Sequence, residues 1–346
     1  MISLEDLWLL SLGLSLLALV IMGGLIAGRL VAVRRARTMK HFRAQWLPQL
    51  LGNSPDLETG SLPDHPALLS ELTAELIAMV RGDERAAFVA MATRLGVART
   101  LHRSLRRGSV RQRILAAETL AYFADGHSTD ALDLALDDTN ADVRLTAALA
   151  LACSDRAPAI AELVDRLRLG TAEQSMLVVS LVAEVARDRP EEVRQLLFDP
   201  TTISPIKAAA IDALSGSGDY TLVPVITDLA LSTADEAPEL PRYLRALGQL
   251  GHPAARPAVL RNLASKVWFV RAAAAEAAGR VGLVDAVETL LGLLDDPDWW
   301  VRYRAGEALA RLGATGQGML KEMSCLGSLR ARKAARLALV EQAVPR

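Results

Sequence analysis

The sequence predicts an all-α chain: an α-solenoid of about nine stacked helix pairs preceded by one transmembrane helix. Three observations lead there. A unit of about 31 residues recurs through most of the 346-residue chain. Ala and Leu dominate, aromatic residues make up only 4%, and no alternating apolar pattern stands out, which favours helix over strand. Residues 7–28 carry no charge at all. The expected organisation is an anchor at 1–33, a basic juxtamembrane segment and linker at 34–65, and the solenoid at 66–346.

The apolar stretch LWLLSLGLSLLALVIMGGLIAG would make a helix about 33 Å long, enough to cross a hydrocarbon core of about 30 Å. A cleaved signal peptide would carry a basic leader and a shorter apolar run. Here Glu5 and Asp6 precede a longer one. Arg29, Arg34, Arg35, Arg37, Lys40 and Arg43 all follow the span, so the positive flank predicts that the remainder faces the cytoplasm. The corresponding location is a bacterial inner membrane, single-pass, with the N-terminus outside. Gly24 and Gly28, like Ser11 and Ser15, have the spacing of small residues that let membrane helices pair. That seam would support a homo-oligomer, although small residues are common in spans in any case.

Residues 34–51 read either as an interfacial helix or as a solvated basic flank. In the first reading Arg34, Arg35, Arg37, Lys40 and Arg43 sit among anionic headgroups while Phe42 and Trp46 dip below them. Gly52–His65, with its Pro, Gly and Ser residues, reads as a flexible linker. Pro66 then suits a first helical turn, and Leu68, Leu69, Leu72, Leu76 and Val80 follow at helical spacing.

The repeat is clearest at Asp295–Gly313, an acidic turn, then Val301-Arg302, then a helix with Ala305, Gly306, Ala308 and Leu309 on one side. With Arg302 as anchor, an Ala-Leu pair follows six and seven residues on. Equivalent anchors are Arg113, Arg144, Ser175, Lys207, Leu240, Arg271 and Arg332, spaced by 30 to 33 residues, with a weaker copy at Arg85. Most anchors are cations that follow an acidic turn, so a carboxylate of the same or the next repeat is expected to pair with them. The cation is missing at Ser175 and Leu240, and loop signals at Asp199–Thr202 and Ser215–Tyr220 suggest looser packing between them.

Asp142-Val143-Arg144 and Asp298–Gly313 carry a family resemblance: this pattern is similar to the short bacterial form of the HEAT repeat. The match is fair around Arg271, weak around Ser175 and Leu240, and spans residues 66–340. The resemblance implies stacked helix pairs that present a binding surface, and it implies no activity.

Charge is segregated although the net charge is −1. From Arg85 to Arg113 basic residues recur without an acid, whereas acids outnumber bases 16 to 7 from Glu118 to Asp199. The basic band proper, residues 94–113, faces solvent, or else an anionic lipid surface or acidic partner. Nucleic acid is not expected, because acidic repeats adjoin the band and no aromatics are interleaved with it. Two cysteines, Cys153 and Cys325, are too few for a disulfide framework and read as small buried residues.

Nothing in the sequence points to catalysis, a metal or a cofactor. His41, His65, His102, His127 and His252 form no His-Glu pair and no helix-spaced ligand set. Among HEAT-like proteins, the deoxyhypusine hydroxylases are recognised by such pairs. The alternative of an enzyme or enzyme subunit, using the solenoid groove for a small substrate or cofactor, calls for a pocket with convergent polar groups.

The aromatics are more informative. Trp268-Phe269-Val270-Arg271 and Trp299-Trp300-Val301-Arg302 stand one repeat apart. Trp268 and Trp299 are expected to point inward, which turns Phe269 and Trp300 toward the rim, with Tyr303 and Arg304 on the same turn. The set Phe269, Trp300, Tyr303 and Arg304 is then the partner-binding candidate, since Trp, Tyr and Arg dominate interface energies. The other reading is that these aromatics fill a wide gap between repeats, and exposure decides between the two. The predicted function is a membrane-tethered scaffold, not an enzyme, whose partner is a protein that is itself membrane-embedded or part of an envelope or transport complex.

Overall fold

The computed structural model describes residues 66–123, 125–168 and 176–343, with scattered positions between residues 8 and 44. Eighteen α-helices and no strand occur among the described residues. They fall into two compact units, residues 1–132 and 133–346.

In the first unit α1 (Pro66–Ile77) packs on α2 (Asp83–Arg94), α3 (Val97–Arg107) and α4 (Val110–Leu120). Leu69, Leu72, Ile77, Phe88, Leu101, Leu105 and Leu120 form its core. The expected stripe is shorter than the sequence suggests, since α1 ends at Ile77 and Val80 lies in the following turn. A further helix, α5 (Gly126–Ala135), runs across the boundary between the units.

In the second unit each repeat supplies a first and a second helix. The second helices are α6 (Ala141–Cys153), α8 (Met176–Asp188), α10 (Ser204–Leu214), α12 (Leu240–Leu250), α14 (Trp268–Val281), α16 (Trp299–Arg311) and α18 (Leu329–Ala343). Each packs on the next, so they form one layer. The first helices are α7 (Ile160–Arg166), α9 (Pro190–Phe198), α11 (Val223–Ser232), α13 (Arg256–Leu263), α15 (Val287–Leu293) and α17 (Gly313–Leu326). Prolines in the first turns of α9, α10, α11, α12 and α13 start these helices where a missing N–H costs nothing.

Small residues set the distance between second helices. A Cβ on Gly248 would lie 2.9 Å from the Ala277 Cα, and one on Gly279 would lie 2.6 Å from the Ala308 Cα. Only glycine permits that approach. After five of the second helices the chain turns left-handed at one phase of the repeat, eleven residues after the anchor, at Asp155, Gly218, Gly251, Gly282 and Gly313. At Gly282 the cap is closed by Gly282 N–H on the Ala278 carbonyl and Leu283 N–H on the same oxygen.

The anchor cations hold the turns in a way that differs from the expected carboxylate pairing. Arg144 donates to the carbonyl of Asp138 at 2.9 Å, Arg271 to that of Ser265 at 2.9 Å, and Arg302 to that of Asp296 at 2.6 Å. In each case the guanidinium reaches back six residues and clamps the turn joining first and second helix. The backbone supplies the acceptors because those turn carbonyls have no helical partner. Arg271 alone of these three also finds a carboxylate, Asp296 of the next repeat, with bonds of 2.8 and 2.9 Å. Asp296 caps its own turn through Asp298 N–H at 2.9 Å, as Asp138 does through Asn140 N–H at 2.8 Å.

The segments expected to be loose are tied as well. Asp199 accepts from Thr201 N–H at 2.8 Å, and Asp219 from Thr221 N–H at 2.9 Å. Where Leu240 replaces the cation it is buried, and Arg242 bridges to Asp212 of the preceding repeat at 2.7 Å. Tyr243 fills the same core with its hydroxyl on the Ser204 carbonyl at 3.3 Å. Burial, helped by Glu239, pushes that phenol up to about 12. In the first-helix layer Arg166 on α7 forks to Asp133 at 2.9 Å and Asp137 at 2.8 Å, and its hydrogen bond holds the Asp137 carboxyl below its usual range.

Two sequence expectations need correction here. Cys153 and Cys325 are exposed, not buried. Trp268 and Trp299 do not point inward: they remain 44% and 48% exposed. The reason is where the helices begin. Trp268 and Trp299 are first helical residues, so the first two side chains overhang the layer and the third, Val270 or Val301, is the first to enter the core.

The expected membrane span lies partly outside the described residues. Among those described, no helix is long and apolar enough to cross a membrane. Trp8, Leu16, Leu17, Leu19, Val20, Ile21, Met22 and Ile26 are helical and exposed. Of the membrane-surface candidates, Lys40 and Arg43 are helical, while Arg34, Arg35, Arg37, Phe42 and Trp46 lie outside the described residues. Arg43 pairs with Glu75 of α1.

Candidate functional site

Three consecutive second helices, α12, α14 and α16, line an open groove of about 210 Å³ in the second unit. Each contributes from its first nine residues. Helix α12 gives Pro241 and Arg245, α14 gives Trp268, Phe269 and Glu276, and α16 gives Trp300 and Arg304. The floor is Ala272 and Ala273, so the groove exists because alanine stands where a larger residue would fill it.

The aromatic walls are preorganised. Trp268 and Phe269 meet edge to face with centroids 5.7 Å apart. Trp299 meets Trp300 at 4.7 Å and stacks on Tyr303 at 5.2 Å with an interplanar angle of 11°. Asp298 accepts from Trp300 N–H at 2.8 Å, which fixes the start of α16 and with it the ring's place on the first turn. Trp300 is 50% exposed and Phe269 half-buried.

Charge in the groove is mostly neutralised from within. Glu276 pairs with Arg280 at 2.7 Å and with Arg304 at 3.4 Å, and Arg304 pairs with Glu307 at 2.7 Å. Arg311 closes the row on Glu307 at 2.8 Å. Burial opposes ionisation of Glu307, but the hydrogen bonds from Arg304 and Arg311 outweigh it and hold the carboxyl below its usual range. Burial also works against the Arg304 cation, and here Glu307 and Glu276 prevail and keep it firmly charged. The Tyr303 phenol is pushed up, first by burial and then by the charges of Glu341 and Glu307. Arg245 is exposed, with Nε donating to the Pro241 carbonyl at 3.1 Å.

Of the four partner-binding candidates, Phe269, Trp300 and Arg304 line the groove together. Tyr303 stands behind them against Trp299 and Arg304. Sequence reasoning placed Trp268 in the core and overlooked Pro241, Arg245 and Glu276. The phase of the repeat contained a usable signal, since Pro241 and Arg245 stand one and five residues after Leu240, as Ala272 and Glu276 stand after Arg271.

Chemically the groove offers apolar rings, an amphipathic rim and carboxylates already committed to arginines. Elsewhere, His102, Ser128 and Asp125 come together in the first unit, with His102 Nε2 to Ser128 Oγ at 3.0 Å and Ser128 Oγ donating to Asp125 at 2.8 Å. The carboxylate there accepts from the serine hydroxyl, and Asp125 also accepts from Ser128 N–H at 2.8 Å. That is a helix cap on α5, and Ser128 is buried. Among the described residues no group of His, Cys, Asp and Glu side chains is arranged to hold a metal ion.

Comparison with known proteins locates the same region. Residues 241–310, which contain the groove, match the family described as HEAT repeats. No curated protein matches the sequence significantly. Among solved structures the chain is similar to Kap121p, with 14% identity and a TM-score of 0.49 over 87% of this chain and 39% of that one. It is likewise similar to Kap121p bound to Pho4p, with 14% identity and a TM-score of 0.47 over 88% and 39%, and to Kap121p bound to RanGTP, with 14% identity and a TM-score of 0.48 over the same shares. The chain thus spans 39% of the length of those proteins.

Proposed function

We propose that this protein is a membrane-tethered cytoplasmic scaffold that captures a protein partner on its second-helix face, with Trp268, Phe269 and Trp300 as the anchoring rings. The observation that carries the reading is the clustering of three large aromatics in one groove shared by three successive repeats, with Trp268 and Trp300 exposed and Phe269 half-buried. Scattered exposed apolar residues are ordinary, but clustered tryptophans rimmed by arginines mark interfaces. The carboxylates of the groove are held in ion pairs, which favours recognition over proton-transfer chemistry. Tethering rests on the uncharged stretch 7–28 and the basic flank behind it. The partner would itself reside in the membrane, or belong to an envelope or transport complex.

Affinity capture from detergent-solubilised membranes tests the reading. The Phe269→Ser/Trp300→Ser variant is expected to lose a protein that the wild type retains, while its melting temperature stays nearly unchanged. Equal capture by both proteins would remove the groove from the function.

A further inference from the structure

Helix α3 carries a face that the packing of the first unit does not use. Val97, Leu101 and Leu105 are buried and mark its inward side. Arg99, Arg103, Arg106 and Arg107 are exposed, and their spacing of four, three and one residues gathers them on the opposite stripe. Arg94 and Arg111 flank the stripe and are exposed too. No acid occurs from residue 86 to residue 117. Among the described residues, no ion pair or side-chain hydrogen bond engages any of these six arginines.

This is unlike Arg166, Arg242, Arg271, Arg304 and Arg311 of the second unit, which have carboxylate partners. Like charges at helical neighbour spacing repel, so α3 carries an electrostatic cost that an external polyanion would relieve. The location indicates which polyanion. Arg43, which follows the apolar stretch by fifteen residues, pairs with Glu75 of α1, and α1 packs on α3. Helix α3 therefore lies one helix from Arg43. It holds no aromatic on which a base would stack, which argues against a single-stranded nucleic acid.

We infer that the α3 stripe rests on the anionic headgroups of the membrane and fixes the first unit against the bilayer, beyond the single tether. The inference takes only the location of the chain from the scaffold reading and does not involve the groove. Four arginines near a surface of negative potential favour contact on the order of a hundredfold or more, and salt screens the contact.

The test uses the full-length chain with Cys153 and Cys325 changed to Ser and Ser104 of α3 changed to Cys, carrying an environment-sensitive fluorophore. The protein is reconstituted into vesicles of phosphatidylcholine alone or of phosphatidylcholine with phosphatidylglycerol, each containing a headgroup quencher. Quenching is expected only with phosphatidylglycerol, and it should vanish at high salt and in the R99Q/R103Q/R106Q/R107Q variant, whose circular dichroism remains helical. Equal quenching in both vesicles, or none in either, would overturn the stripe while protease protection of residues 7–28 left the tether intact. Quenching by phosphatidylglycerol without that protection would keep the stripe and remove the tether. Displacement of the fluorophore by a DNA duplex at concentrations below those of the lipid would reassign the stripe to nucleic acid.

Discussion

Arg271 and Arg302 hold equivalent places in adjacent repeats, yet their surroundings predict different costs of removal. Arg271 has a nearly buried bidentate partner, with side-chain exposures of 14% for the arginine and 6% for Asp296, whereas Arg302 donates to turn carbonyls. Arg271→Ala leaves Asp296 buried and without that partner, a loss of about 3–5 kcal/mol. Arg302→Ala should cost less, about 1–3 kcal/mol. Urea unfolding checks the order, and equal losses would show that the carbonyl clamp matters more than the carboxylate. His102 makes a second residue-scale prediction. Burial, reinforced by His127 and Arg106 and opposed by Asp125, lowers its pKa from 6.5. The unfolded chain therefore takes up the proton first, and the stability this residue contributes is present above 6.5 and lost as pH falls through the folded value. Melting temperature should drop on acidification below about pH 6.5, and His102→Gln should flatten that slope. At this scale the anchor positions were legible because they recur in register with the Ala-Leu pairs. The directions of Trp268 and Trp299 were not, because they depend on the residue at which each helix begins, and a one-residue change there swings a side chain by about 100°.

The separation of neighbouring second helices is controlled by a few atoms, so it is open to a paired test. Gly279→Ala would bring a Cβ to 2.6 Å from the Ala308 Cα and force α14 away from α16, costing about 1–3 kcal/mol. Gly292→Ala on α15 meets nothing within 4 Å, and there the better helix former should add up to about 1 kcal/mol. Thermal melts of the two variants shifting in opposite directions would support the close-approach account, whereas a neutral Gly279→Ala would refute it. Element boundaries were well signalled where glycine supplies the left-handed cap, as at Gly251, Gly282 and Gly313. They were harder to see at Asp155, which takes the same conformation at φ 53° without the glycine that announces it. The loops at Asp199 and Asp219 looked slack in sequence because composition does not reveal that each aspartate caps its own turn.

For the molecule as a whole, a cationic face on the first unit and an aromatic groove on the second accompany the proposed tether. The positive flank after residue 28 predicts that a periplasm-dependent phosphatase fused to the C-terminus stays inactive, and activity there would reverse the orientation. The groove was only partly legible because it is a property of three repeats at once. Phe269, Trp300 and Arg304 stand out as residue types, while Pro241 and Arg245 become visible only when α12 is set beside α14. The most direct measurement of the central claim is photo-crosslinking in living cells with a photoreactive residue at position 300 and a control at position 198. Phe198, on the first helix α9, is also exposed at 58%. Capture through the groove predicts a discrete protein adduct from position 300 that Phe269→Ser abolishes, with none from position 198. Adducts from position 198 with none from position 300 would contradict it.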